Sequence, residues 1–198
     1  VDAGIGCDGP LPDVLALAEE QPGVSVLIFE SLADDVAGAA MCRGEHRLIF
    51  LNGSDHPVRM RFTLAHELGH HCFKHDARPD TLAGLAKPGS WIEVQANEFA
   101  SELLMPTAAV ESWWAQQDVE QVGLYELCDF SLRFGVSAWA AFFRLDRARL
   151  PMEYKALRGE LEEGRHLAVL EAADPYPDTI SDVVGRLPRI PERVANSV

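Results

Sequence analysis

The chain has 198 residues, of which 47% are hydrophobic and 24% charged. That suffices for one domain with a real core plus a small appendage, and it excludes a disordered polymer. The net charge of -14 repels phosphate backbones, so direct nucleic-acid binding is not expected, and no apolar run reaches the length of a membrane span.

Residues 1–13 lack the basic and apolar blocks of a signal peptide. Cys7, Cys42, Cys72 and Cys128 lie far apart and form no CxxC pair. Reduced thiols are therefore expected, and zinc held by cysteine pairs is excluded on spacing.

In chain order, Leu11–Glu20 has the apolar spacing of a short helix with Pro12 near its first turn. Val24–Glu30 reads as a strand bounded by Pro22 and Gly23. Val36–Cys42 is a weaker strand, spoiled by Gly and Ala. His46–Leu51 is a further strand closed by Asn52-Gly53. A helix capped by Asp55, with Pro57 in its first turn, is expected to run to about Lys74. Residues 76–90 read as a loop. Helices follow at about 90–104, 107–117, 120–134 and 138–149. Beyond Pro151 the pattern weakens to one amphipathic stretch near 153–171. The fold class expected is α+β, a small β-sheet packed against a mainly helical set. Residues 1–150 form the main domain and 151–198 a C-terminal appendage.

The sequence His66-Glu67-Leu68-Gly69-His70 falls inside a helical pattern. At about 100° per residue, His70 lies about 40° from His66, one turn along the same face. Two imidazoles so placed can reach one ion. Glu67 lies at the margin of that face, where it can take a proton from a polarised water without being a ligand. Imidazole donors favour zinc over magnesium or calcium, and Mn²⁺ or Fe²⁺ would also fit two imidazoles and a carboxylate.

Such a site needs a third protein ligand. Asp76 is one candidate, but Phe73 stands where the sharp turn of an HExxHxxGxxD pattern needs glycine. Glu93 is the other, with Asn97 one turn further on the same face, able to orient a ligating histidine. Ser90-Trp91-Ile92-Glu93 also matches a capping box, in which Glu93 would bond a backbone N–H instead. Glu98 and Glu102 are fallback ligands, though each lies on a different face from Glu93.

Arg61-Phe62-Thr63-Leu64-Ala65 before the His66–His70 motif, Glu93-x-x-Ala96-Asn97-x-Phe99-Ala100, and Leu103-Leu104-Met105-Pro106 resemble the ImmA/IrrE metallopeptidase family. The resemblance runs from about Leu11 to Arg149. It implies a thermolysin-like (gluzincin-like) zinc endopeptidase with His66, His70 and Glu93 as ligands. It also implies a cytoplasmic regulator that cleaves a helix-turn-helix repressor and so relieves repression of stress, phage or mobile-element genes.

Residues 130–145 mimic a helix-turn-helix, with Gly135 closing one helix and Ser137 capping the next. The second helix offers Trp139, Ala140, Ala141, Phe142 and Phe143, which is core material, whereas a DNA reader needs polar and basic side chains there. A DNA-binding regulator using residues 120–149, or a module that sequesters its repressor without cutting it, are the rival readings. By rotation along a continued helix, His71 and His75 face away from the ion and read as solvent-facing or supporting residues. His46, His56 and His166 read likewise, and Cys72 reads as packed. Trp113 and Trp114 are expected to split between core and rim. The donor for a tetrahedral oxyanion is not identified by pattern; Tyr125, Tyr154, Tyr176, His166 and Arg61 are candidates.

Overall fold

The computed structural model describes residues 9–11, 13–30, 32, 36–44, 46–75, 79–81 and 91–173. Among them the chain is α+β. Its elements are α1 (Val14–Glu20), β1 (Val24–Phe29), β2 (Val36–Arg43), β3 (His46–Asn52), α2 (Pro57–Cys72), β4 (Pro79–Thr81), α3 (Trp91–Leu104), α4 (Thr107–Trp114), α5 (Leu124–Phe134), α6 (Ala138–Arg147), α7 (Tyr154–Glu162) and α8 (Arg165–Ala172). These residues divide into two units, residues 12–100 and residues 9–11 with 101–173, the boundary falling inside α3.

The first unit is built on a four-stranded sheet in the order β1-β3-β2-β4. β3 lies parallel to β1 and antiparallel to β2. Side chains alternate across a strand, and the register aligns Val24, Val26 and Ile28 with Arg47, Ile49 and Leu51. All six are buried, so this face carries the core. Of these six, Arg47 is the one charged residue. The glycine and alanines of β2, which weaken its strand signal, have a packing reason. A Cβ on Gly38 would stand 2.5 Å from the Thr63 methyl of α2. Small residues there let the helix lie close to the sheet. Pro79–Thr81, read as loop, pairs with β2 as a short edge strand. An edge tolerates proline because no ladder N–H is needed on its outer side.

α2 packs on α1, β2 and β3. It is buried almost all round, including Arg61, Thr63, His66, Glu67 and His70. Its N-cap is His56, whose Nδ1 accepts from the Val58 N–H at 3.4 Å. Asp55, the expected cap, instead holds Arg59 at 3.2 Å. The helix ends two residues before Lys74. There the Lys74 N–H bonds the His71 carbonyl and the His75 N–H bonds the His70 carbonyl. Lys74 itself has φ 57°. This paired closure is a Schellman turn, with lysine in the left-handed position usually held by glycine.

The second unit is helical. Trp113 is buried and its Nε1 donates to Asp129 at 3.1 Å, while Trp114 is half-buried at the rim. Phe130 packs edge-on to Trp113 and stacks on Phe134. α5 closes at Gly135 with φ 62°, and Ser137 caps α6 by accepting from the Ala140 N–H. Both were expected. α6 buries Ala138, Ala141, Phe142 and Leu145. Its Arg144 is buried too, bonding the Met105 carbonyl, Glu102 and Thr107. The amphipathic stretch near 153–171 is two helices, α7 and α8, parted by Gly164 at φ 75°. No helix among the described residues is long and apolar enough to cross a membrane.

Candidate metal centre

Two helices build the site within the first unit. α2 presents His66 and His70 one turn apart, with Glu67 between them. α3 presents Glu93 in its first turn and Asn97 one turn later. The helices meet backbone to backbone at Gly69. A Cβ there would stand 3.1 Å from the Ala96 Cα and 3.2 Å from the Phe99 Cβ. The missing side chain lets α3 come close enough for a carboxylate to reach the histidines.

The Nε2 atoms of His66 and His70 stand 2.9 Å apart. A Glu93 carboxylate oxygen lies 3.3 Å from the first and 3.4 Å from the second. Three donor atoms therefore converge on one point, and this trio is the one such group among the described residues. Donors about 2.0–2.1 Å from a tetrahedral zinc stand about 3.3–3.4 Å from one another. The two carboxylate distances match that, and the imidazole pair is slightly closer.

Hydrogen bonds behind the rings fix which atoms face inward. His66 Nδ1 donates to the Asn97 Oδ1 at 2.7 Å. A carbonyl oxygen only accepts, so the ring proton sits on Nδ1 and the Nε2 lone pair faces the centre. Such a bond is what an orienting role for Asn97 would require. His70 Nδ1 meets His75 Nδ1 at 2.9 Å. With the His66 lone pair turned inward and the Glu93 carboxylate able only to accept, a divalent cation fits this group when His70 also presents its Nε2 lone pair. The residues present fit a divalent metal.

Glu67 is buried, and its Oε2 lies 3.4 Å from Arg47 Nη1. Arg47 also approaches the Glu67 carbonyl at 3.5 Å and bonds the His75 carbonyl at 2.6 Å. The pairing matters because an uncompensated charge of either sign is expensive at this depth. Burial, and then the Arg47 charge, hold His71 below its ordinary pKa. Cys72 is exposed, not packed as its pattern suggested, and it is free, as are Cys42 and Cys128.

Sequence reasoning missed Arg47; it allowed His75 a supporting role but put it on the opposite face of the helix. The signal for Arg47 was a lone charge at an inward position of an otherwise apolar alternation. His75 was carried round a helix that in fact stops at Cys72, after which the turn at Lys74 folds it back under His70. Glu93 faces the histidines, while Ser90, its partner in a capping box, lies outside the described residues, as does Asp76. Glu102 is engaged with Arg144 in the other unit. Of the oxyanion candidates, Arg61 lies in α2, Tyr125, Tyr154 and His166 lie in the other unit, and Tyr176 is outside the described residues.

The IrrE N-terminal-like domain, which defines a peptidase family (Peptidase_M78), matches residues 19–146. The chain belongs to this family. The match covers α2 and α3, and so every residue of the site just described. A member of the IrrE N-terminal-like family is of peptidase type, and its His66–His70–Glu93 group is of a kind that can bind a metal ion. No curated protein gives a significant match to the chain.

Proposed function

We propose that this chain is a zinc-dependent metallo-endopeptidase in which His66, His70 and Glu93 hold the metal and Glu67 is the general base. The observation that carries the reading is the convergence of those three donors, with Asn97 behind His66, in a member of a peptidase family. Zinc is favoured by a donor set of two imidazoles and a carboxylate, which Mn²⁺ or Fe²⁺ would also accept. When bound, the metal supplies Lewis acidity that polarises the attacking water and the scissile carbonyl.

The chain's own residues do the rest. Asn97 holds the His66 ring in the tautomer that turns its Nε2 inward. The Glu67 carboxylate takes a proton from the attacking water and delivers it to the departing amine. Arg47 keeps that carboxylate in place and balances its charge.

The substrate we propose is a helix-turn-helix repressor whose cleavage relieves repression of stress, phage or mobile-element genes, with the enzyme acting in the cytoplasm. The charge of -14 suits a basic DNA-binding partner and would speed their encounter. The rival readings are a module that sequesters its repressor uncut, and a DNA-binding regulator using residues 120–149. In α6 Ala141 and Phe142 are core and Arg144 is spent on internal bonds, whereas Phe143, expected in the core, is exposed; an outward phenylalanine does not read base edges, which favours the peptidase.

Glu67→Gln separates these readings. The expected outcome is loss of repressor cleavage by at least a hundredfold with metal and repressor still bound, since general base catalysis contributes about 10²–10⁴-fold. Cleavage or de-repression at the wild-type level by that variant would sink the assignment.

A further inference from the structure

His66 and His70 are held by different kinds of group. Asn97 reaches His66 from α3, the neighbouring helix. His70 is met by His75, which follows α2 in the same stretch of chain. The position of His75 is determined three times over. The Schellman closure bonds its N–H to the His70 carbonyl at 2.9 Å. Arg47, buried on β3, bonds its carbonyl at 2.6 Å. Phe73 stacks on its ring at a centroid distance of 5.6 Å. Backbone donor, backbone acceptor and ring face are thus all engaged, and they leave Nδ1 facing His70 Nδ1.

The two Nδ1 atoms 2.9 Å apart share one proton. For the His70 Nε2 to face Glu93 and His66 with a lone pair, that proton must sit on His70 Nδ1. His75 then accepts through Nδ1 and carries its own proton on Nε2. We infer that His75 is the positioning residue for His70, fixing its tautomer and ring plane as Asn97 does for His66, with Arg47 as the clamp that holds the turn. The inference rests on the metal-site reading of His66, His70 and Glu93. It adds a role for a residue that helical rotation sends to the opposite face.

The test is zinc affinity, measured by competition with a chromophoric chelator, for wild type, His75→Leu and His75→Asn. Leucine keeps the apolar contact with Phe73 but accepts no hydrogen bond. Asparagine places an accepting oxygen close to where Nδ1 stands. Losing such a supporting bond typically costs about 10–100-fold in metal affinity. We expect a loss in that range for His75→Leu, recovery to within about threefold of wild type for His75→Asn, and like unfolding midpoints for both metal-free variants. The visible spectrum of the Co²⁺-loaded leucine chain should also shift, which a merely structural defect away from the ligands would not cause.

Wild-type affinity in His75→Leu, or equal losses in both variants, overturns the inference while leaving the metal site standing. Failure of wild type to bind zinc overturns the site itself, and this inference with it. Should the leucine chain not fold, the asparagine chain decides. Affinity within about threefold of wild type supports the role and a tenfold loss rejects it.

Discussion

Lys74 occupies a backbone position that helices ending in this way usually give to glycine. A side chain at positive φ costs about 1 kcal/mol, and here the two backbone hydrogen bonds that close the helix offset it. Lys74→Gly should therefore raise stability by about 0.5–1 kcal/mol, read as a higher urea midpoint at unchanged slope. A lower midpoint would mean that the lysine side chain makes contacts worth more than the strain. The pairing of His66 and His70 was legible from spacing alone, because it depends only on helical geometry, whereas spacing left Glu93 open and the family resemblance supplied it. Arg47 and His75 were not, since each depends on where another element ends or turns.

Gly69 decides how the elements meet. Its missing Cβ is the space in which α3 approaches α2, and the nearest atoms are Ala96 backbone, which cannot rotate away. Gly69→Ala should destabilise the chain by about 1–3 kcal/mol, as overpacking does. It should also weaken zinc binding, because Glu93 and Asn97 both ride on α3. Gly159→Ala in α7 is the control: nothing lies within 4 Å of its added Cβ, so the higher helix propensity of alanine should leave stability equal or better. Unchanged zinc affinity in Gly69→Ala would show that the close approach does not set the site. At this scale the sequence conveyed α1, β1, β3, α2 and α3 within a few residues, because their apolar periodicity is strong. β2 was weak for the same reason that it packs well, its small residues. β4 gave no signal, because three residues at a sheet edge carry no periodicity.

At the scale of the whole molecule, the α+β class follows from a strand-rich first third and a helical remainder. Membership of a peptidase family agrees with the motifs around His66 and Glu93. One buried thiol links the helical unit to solution conditions. Burial pushes Cys128 from its ordinary 9.0 up to about 11. Between those values the unfolded chain has lost the proton that the folded chain keeps, so the unfolded state binds fewer protons. Stability is full below pH 9.0 and falls as pH climbs toward about 11. Chemical unfolding of wild type and Cys128→Ala across that range checks this, and the two curves should converge as pH rises. A constant gap would mean that the thiol is not protected by burial.

The proposed activity depends on the three donors contributed by α2 and α3. Its most direct test is a zinc titration of the metal-free protein, wild type against Glu93→Gln. We expect one zinc per chain in wild type and a site weaker by about tenfold or more in the variant, with the fold retained. No binding by wild type, or equal affinity in Glu93→Gln, would contradict it.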